Sequence, residues 1–513
     1  MLNKEQDIYS FRSLLYPQKY PIQYTILNIL FLLVIVAAIY TGFSMLMVGR
    51  SLWLDEAALA YSFSERPFIG LTSSAFEYMQ SAPVVYLYIV KAITLLFGNT
   101  EITLRLWSFI SYLLLIFISY KFLTKILPVR FPLLGTAFIA NLSYLIWYSV
   151  EFKPYMSDCF SVLLVILCYY FYCGKKINVY VLSLIYAIVI WNSNPACFFI
   201  SGIIIFEFVT GLIRKEYSRV KNSIVVGIFA LVSFVAYYAY WLKPVIDAGD
   251  MGEYWKNAKF NFLPLSVQEL KNQFILLRGI VYPMGLINGP VLFLAGGIGF
   301  IINLIKDRNR YVSVIYIGII ISLIASYLGF YPMKNRLFLF VYPLLAVLLF
   351  YYLNMLLSWG NKKKYVLVIA FSVMLLFMTD GIVKYRTRDS AYMPMGETNL
   401  ALDYISGRIK SNESLYLYYY SVPSFYYKTK FKENRDTFFD DKNVRFGKTS
   451  FTEEKSKDDA DYILSNQPTY ILTSNMYDEY KGIEPLFDLL KSNGKLELIY
   501  DRYETRVYYF TNK

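Results

Sequence analysis

Asp55 and Glu56 stand side by side just after a long apolar run, with Ser51 and Trp53 ahead of them and Ala57 and Ala58 behind. A carboxylate held against a bilayer costs desolvation energy, so such acids are candidates for function. The chemistry open to them is proton transfer: a carboxylate can accept the proton of an acceptor hydroxyl. The plainer reading is a solvated loop turn with a helix N-terminal carboxylate. A second group closes another apolar run: Trp147, Tyr148, Glu151, Lys153, Tyr155 and Asp158. Its plainer reading is interfacial capping and snorkelling. A third, Lys334, Asn335 and Arg336, puts two cations in a short turn between apolar runs. Phosphate recognition would explain them, as would nonspecific contact with lipid headgroups. Together, carboxylates and cations suit transfer of a group from a membrane-anchored phosphate, with cations stabilising the departing phosphate.

The elements that position these groups are read from the apolar runs. The 513-residue chain is 57% hydrophobic and 17% charged, against about 25% charged in soluble domains. That excludes disorder and a disulfide scaffold. Eleven runs are predicted to span a bilayer, which takes roughly 20 apolar residues: 21–49, 106–127, 131–150, 154–174, 177–191, 196–213, 222–242, 279–305, 311–333, 337–360 and 364–383. The first reads as a retained helix, not a cleaved signal. Composition changes after Val383, dividing the chain into a membrane domain, 1–383, and an α/β domain, 384–513. In the second, helices are expected at 397–409 and near 477–490. Strands are expected at 414–420, 469–473, 496–500 and 505–511, and an irregular excursion at 432–461.

Formal net charge is +13, and histidine is absent. No histidine means no Ser-His-Asp triad and no HExxH zinc site. A net +13 invites nucleic acid, but its distribution removes that partner. With the N-terminus cytoplasmic and 82–98 not crossing, every basic cluster between helices falls inside. The inner segments then carry eighteen Lys/Arg against four acids, while residues 384–513 hold twenty of each. The excess is a topology signal. It makes 82–98 a helix lying at the outer interface and places the C-terminal domain outside. The four cysteines, Cys159, Cys168, Cys173 and Cys197, fall in apolar helices and read as small buried hydrophobes.

In this order the motifs resemble the GT-C membrane glycosyltransferases of the protein O-mannosyltransferase type, the group that includes lipid A aminoarabinose transferases. An Asp-Glu pair follows the first span. A proline-and-tyrosine helix follows, with Pro83 and Tyr86, then Glu101 and Leu104-Arg105. Tyr148, Ser149, Glu151, Lys153 and Tyr155 match the pattern Tyr-Ser-x-Glu-x-(Arg/Lys)-x-Tyr, and a late Lys/Arg turn holds Arg336. The family's usual His-Pro-Pro or Lys-Pro-Pro is replaced here by Ser81-Ala82-Pro83.

The resemblance implies a GT-C fold and inverting transfer of a sugar from a polyprenyl-phosphate donor to a protein, lipid or glycan acceptor. This would take place at the outer face of a bacterial cytoplasmic membrane. Asp55 would be the general base, and Glu56 would orient it or bind the sugar. Lys153 and Arg336, with Arg105 and Lys334, would hold the lipid phosphate. Glu151, Tyr155, Asp158, Pro83 and Tyr86 would line the cavity. The expected partners are the lipid-linked donor, membrane lipids and an acceptor that the sequence does not name. No cofactor is implied, although missing histidines leave room for an oxygen-ligated divalent cation. Two other readings remain open: a glycan ligase or polymerase using a lipid-diphosphate donor, and a lipid-linked-sugar transporter.

Overall fold

In hydrocarbon a backbone can satisfy its own polar groups by coiling into a helix, and most of the chain does so. The computed structural model describes residues 22–248, 258–281, 288–334, 336–359, 396–447, 453–474 and 483–512. They fall into two compact units. One takes the described residues of Met1–Met45, Ala82–Ile89 and Arg105–Thr387. The other takes those of Leu46–Ser81, Val90–Leu104 and Arg388–Lys513.

In the first unit, seven of the described helices are long and apolar enough to cross a bilayer: Thr25–Met47, Glu101–Ile126, Tyr155–Cys173, Ala196–Ile213, Tyr217–Asp247, Gly289–Lys306 and Arg310–Tyr327. The chain is a polytopic helical membrane protein. Burial sorts these helices. Two thirds of the Tyr155–Cys173 window is covered by protein, against 22% for Tyr217–Asp247. The first is a central helix. The second turns Leu231, Val232 and Val235 outward.

Two expectations change here. The run 131–150 is not one helix but two, Pro132–Ala140 and Ser143–Tyr148. Asn141 breaks it: its side-chain amide donates to the carbonyl of Ala137 at 2.9 Å and to that of Val34 at 3.3 Å, competing with the helical ladder. Leu142 turns extended. The run 177–191 yields a helix only from Val179 to Ile190, about 18 Å long at 1.5 Å per residue. The eleventh expected span, 364–383, lies outside the described residues, as do the N-terminal tail and Asn335. The stretch 82–98 forms a helix from Val84 to Phe97. At about 21 Å it is shorter than the roughly 30 Å hydrocarbon core.

The second unit carries a five-stranded sheet in the order β2-β1-β3-β5-β4, with β1 Ser414–Leu417, β2 Asn443–Phe446, β3 Thr469–Ser474, β4 Gly494–Arg502 and β5 Thr505–Asn512. Strands β2, β1 and β3 are parallel, with Leu415 opposite Val444 and Tyr470; β5 runs antiparallel to β3 and β4. Side chains alternate across the sheet. Leu415 and Leu417 join Leu402, Ile405 and Phe425 on one face. Tyr416 and Tyr418 join Ile463, Leu486 and Leu490 on the other. Helices therefore cover both faces, giving three layers. The stretch 432–461, expected to be irregular, holds strand β2 and the start of the helix Glu453–Ser465. That helix buries Ala460 and Ile463 and accepts the Tyr416 hydroxyl on Asp459 at 2.6 Å. The helix expected near 477–490 is described from Glu484 to Asn493, and 477–482 lie outside the described residues.

Candidate active site

Asp55 and Glu56 sit in the first turn of the helix Leu54–Glu65, whose N-cap is Trp53 in an extended conformation. Acids are favoured there by the helix dipole. The two carboxylates have different surroundings. Glu56 is fully buried: its Oε2 faces Arg50 Nη1 at 3.4 Å and accepts the Trp53 backbone N–H at 3.4 Å. It therefore caps its own helix and neutralises a buried guanidinium. Asp55, one residue earlier, is half-buried.

The chain leading into this turn is clamped. Glu397 accepts Ser51 N–H at 3.1 Å and the Ser51 hydroxyl at 2.7 Å, and Ser51 Oγ accepts Asn399 N–H at 3.0 Å. Asn399 also donates to Glu101 at 3.0 Å, and Lys432 reaches the same carboxylate at 2.9 Å. Ser424 donates to the Leu52 carbonyl at 3.3 Å. The Asp55 helix is thus docked on the helical layer of the α/β fold, with Tyr61 edge-on to Tyr426 and Phe431. Burial raises the Tyr61 phenol, and the Glu77 and Glu65 carboxylates add to it. At the far end of this helix, Arg66 donates to the carbonyls of Leu71, Ser74 and Ala75, with its guanidinium 4.6 Å over Phe76. Lys91, in the Val84–Phe97 helix, donates to the Phe63 carbonyl at 3.0 Å, and burial pushes its ammonium down to about 8.

The remaining candidates belong to the first unit. Ser108 ties two of their segments together by donating to the carbonyls of Glu151 at 2.7 Å and Lys153 at 3.2 Å. Arg105 lies three residues before Ser108 on the same helix face, and both Arg105 and Lys153 are buried. Glu151 is fully buried and accepts the Trp147 indole N–H at 2.7 Å. Phe152 stacks on Tyr86 at 6.3 Å, joining the proline helix to this group. That helix is anchored at its start: Val85 N–H donates to the Trp191 carbonyl at 2.9 Å, and Trp241 donates to the Ala82 carbonyl at 2.9 Å, beside buried Pro83. Tyr148 packs edge-on against Tyr155 at 5.3 Å and lies within electrostatic reach of Glu151 and Arg336. Tyr331, whose hydroxyl donates to the Leu337 carbonyl at 2.8 Å, lies within electrostatic reach of Asp158 and Tyr155. Asp158 is buried.

The structure thus brings Tyr86, Arg105, Glu151, Lys153, Tyr155, Asp158 and Arg336 together in one unit, with Lys334 exposed in the turn before Arg336. It sets Asp55 and Glu56 with Arg50 in the other. Sequence reasoning missed Arg50, Ser51 and Glu397. Arg50 had a signal, a cation at the end of the first span six residues before Glu56. Glu397 had none, because its partner lies 346 residues away.

No protein-family model matches the chain, and no curated protein does. Among solved structures it is similar to ArnT from Cupriavidus metallidurans in the apo state, at 13% identity and a TM-score of 0.49, covering 92% of this chain and 97% of that one. It is similar to the same protein bound to undecaprenyl phosphate, also at 13% and 0.49, covering 94% and 97%.

Proposed function

We propose that the protein is a membrane glycosyltransferase that moves a sugar, with inversion, from a polyprenyl-phosphate donor to an acceptor hydroxyl at the outer face of the cytoplasmic membrane. The observation that carries this is the division between two adjacent carboxylates. Glu56 is fully buried, facing Arg50 and capping its helix, while Asp55 is half-buried at the same helix start. Glu56 is a positioning residue. Asp55 is the base.

In the step we propose, the acceptor oxygen attacks the anomeric carbon and its proton passes to the Asp55 carboxylate. The bond from that carbon to the phosphate oxygen breaks, and its electron pair leaves with the polyprenyl phosphate. Lys153, Arg336 and Arg105 would meet the charge that grows on the phosphate, the larger share of stabilisation in such a transfer. A positioned general base contributes about 10²–10⁴-fold. Tyr86 and Tyr155 would supply flat apolar walls to the sugar and the first isoprene units. No step runs through a metal.

The test is Asp55→Asn. The variant should insert and unfold like the parent, yet pass no label from radiolabelled polyprenyl-phosphate sugars into envelope lipids, glycans or proteins. Parental transfer rates in Asp55→Asn would remove the base assignment.

A further inference from the structure

A cavity of about 390 Å³ lies far from these carboxylates in sequence, at the end of the Tyr155–Cys173 helix and the start of the Arg310–Tyr327 helix. Ligand pockets run from about 300 to 1,000 Å³. Its walls are Tyr170, Cys173, Lys176, Asn309, Arg310 and Tyr311. The Tyr170 and Tyr311 rings lie 5.9 Å apart, and Tyr169 meets Tyr311 edge-on at 5.7 Å.

The charges around this cavity are unequal. Nearby, Arg219 is fully used: it forks onto Glu207, with Nη2 at 2.8 Å, and reaches Glu216 at 3.2 Å. Glu207 also takes the Tyr169 hydroxyl. The local carboxylates are therefore committed. Among the described residues, Arg310 and Lys176 form no ion pair; Arg310 is half-buried and its Nη1 meets only the Cys173 sulfur, at 3.3 Å. Asn309 already caps the helix start by accepting Tyr311 N–H at 3.0 Å, so an anion there would be read by side chains and not by the helix end. Arg310 feels the Glu207 carboxylate and Lys176 lies 5.4 Å over the Phe171 ring, but neither holds an ion-pair partner among the described residues. Two such cations beside an aromatic floor at the end of apolar helices make a receptor for a compact anion.

We infer that this cavity binds a phosphate-bearing anion, either the headgroup of an acidic phospholipid or a free phosphorylated solute. Arg310 and Lys176 pair with the phosphate, and Tyr170 and Tyr311 flank it. The charge-based orientation of the sequence would put this cavity on the cytoplasmic side, and the inference stands independently of the proposed transfer chemistry.

The test compares the purified protein with Arg310→Gln/Lys176→Gln and with Lys175→Gln, which neutralises a neighbouring exposed lysine outside the cavity wall. Native mass spectrometry in detergent measures retention of phosphatidylglycerol against phosphatidylcholine. Thermal unfolding with inorganic phosphate measures the free-solute arm. At about fivefold per cation near a membrane surface, the double variant should bind roughly 25-fold more weakly, and Lys175→Gln should match the parent. Selective retention of phosphatidylglycerol, lost in the double variant, identifies a lipid headgroup. Stabilisation by inorganic phosphate alone, lost in the same variant, identifies a solute. Absence in the parent of both selective lipid retention and phosphate stabilisation, or either effect persisting unchanged in the double variant, overturns the inference.

Discussion

The pairing of Arg50 with Glu56 yields the sharpest quantitative prediction. The two side chains are 5% and 0% exposed and stand 3.4 Å apart. At an effective dielectric near 20, opposite charges at that separation attract by about 5 kcal/mol. Removing one partner of a buried pair costs about 3–5 kcal/mol, whereas replacing both with apolar groups of similar volume is close to neutral. Arg50→Met and Glu56→Leu should therefore each destabilise the protein by about 3 kcal/mol. At about 2.1 cal/mol/K per residue a 513-residue chain has an unfolding entropy of about 1.1 kcal/mol/K, so the unfolding temperature should fall by about 3 °C. The double variant should recover most of the loss. It should keep a deficit of about 1 kcal/mol, because Glu56 also caps the Trp53 N–H. The assay is a double-mutant cycle by thermal or denaturant unfolding in mild detergent. A coupling energy of at least about 2 kcal/mol is expected. Losses that simply add, with coupling under about 0.5 kcal/mol, would refute the argument that Glu56 serves to neutralise Arg50.

The other predictions can be read on the same preparations. Arg336→Ala and Lys153→Met should each weaken polyprenyl-phosphate binding by tenfold or more, since hydrogen bonds to charged groups contribute about 1.5–3 kcal/mol; unchanged affinity in both would count against a phosphate clamp. Lys91 has a folded-state pKa of about 8, lowered by burial, so the unfolded chain binds the extra proton between pH 8 and its ordinary value. Stability should thus climb with pH through that window. Lys91→Met should raise the unfolding temperature most below pH 8, with the gain shrinking by pH 10. EDTA should leave sugar transfer intact; loss of transfer restored by magnesium would place a divalent cation in the mechanism. Cysteine labelling at Ser81 and at Arg308 should report opposite sides of the membrane, and labelling from one side would overturn the charge-based orientation.

What could be read from the residues divides along sequence distance. Runs of apolar residues announce helices, and Trp191–Pro195 announces the break between two of them. The break at Asn141 was also in the sequence, as the polar residue midway along the run. Its force lies in where the amide points, which composition does not report. Strand β2 has four residues, sits at the sheet edge, and is half-buried to exposed. With no strong alternation to give it away, it passed for loop. The Asp-Glu pair stood out because acids are rare beside apolar runs, yet which of the two is buried depends on Arg50 and the Trp53 N–H. Ser51 drew notice for its neighbours, and Glu397 for nothing at all: a carboxylate in a mixed-charge domain looks like solvated surface until its partner is known.

The bond from Ser51 to Glu397 also sets a clock. It joins residues 346 positions apart, and the unit that holds Asp55 is assembled from segments at both ends of the chain. At about 5–20 residues per second, a ribosome needs roughly 17–70 s between making the one and making the other. For that interval the Leu54–Glu65 helix has neither its clamp nor its docking layer, and the buried side of Glu56, Leu59 and Phe63 must be sheltered some other way. Over that interval the nascent chain carries an apolar helix face with nothing of its own to cover it, and the last quarter of the polypeptide completes the burial. Until Glu397 emerges and closes on Ser51, the carboxylate pair has no fixed seat, so a chain truncated before Glu397 should insert without the fold that surrounds Asp55.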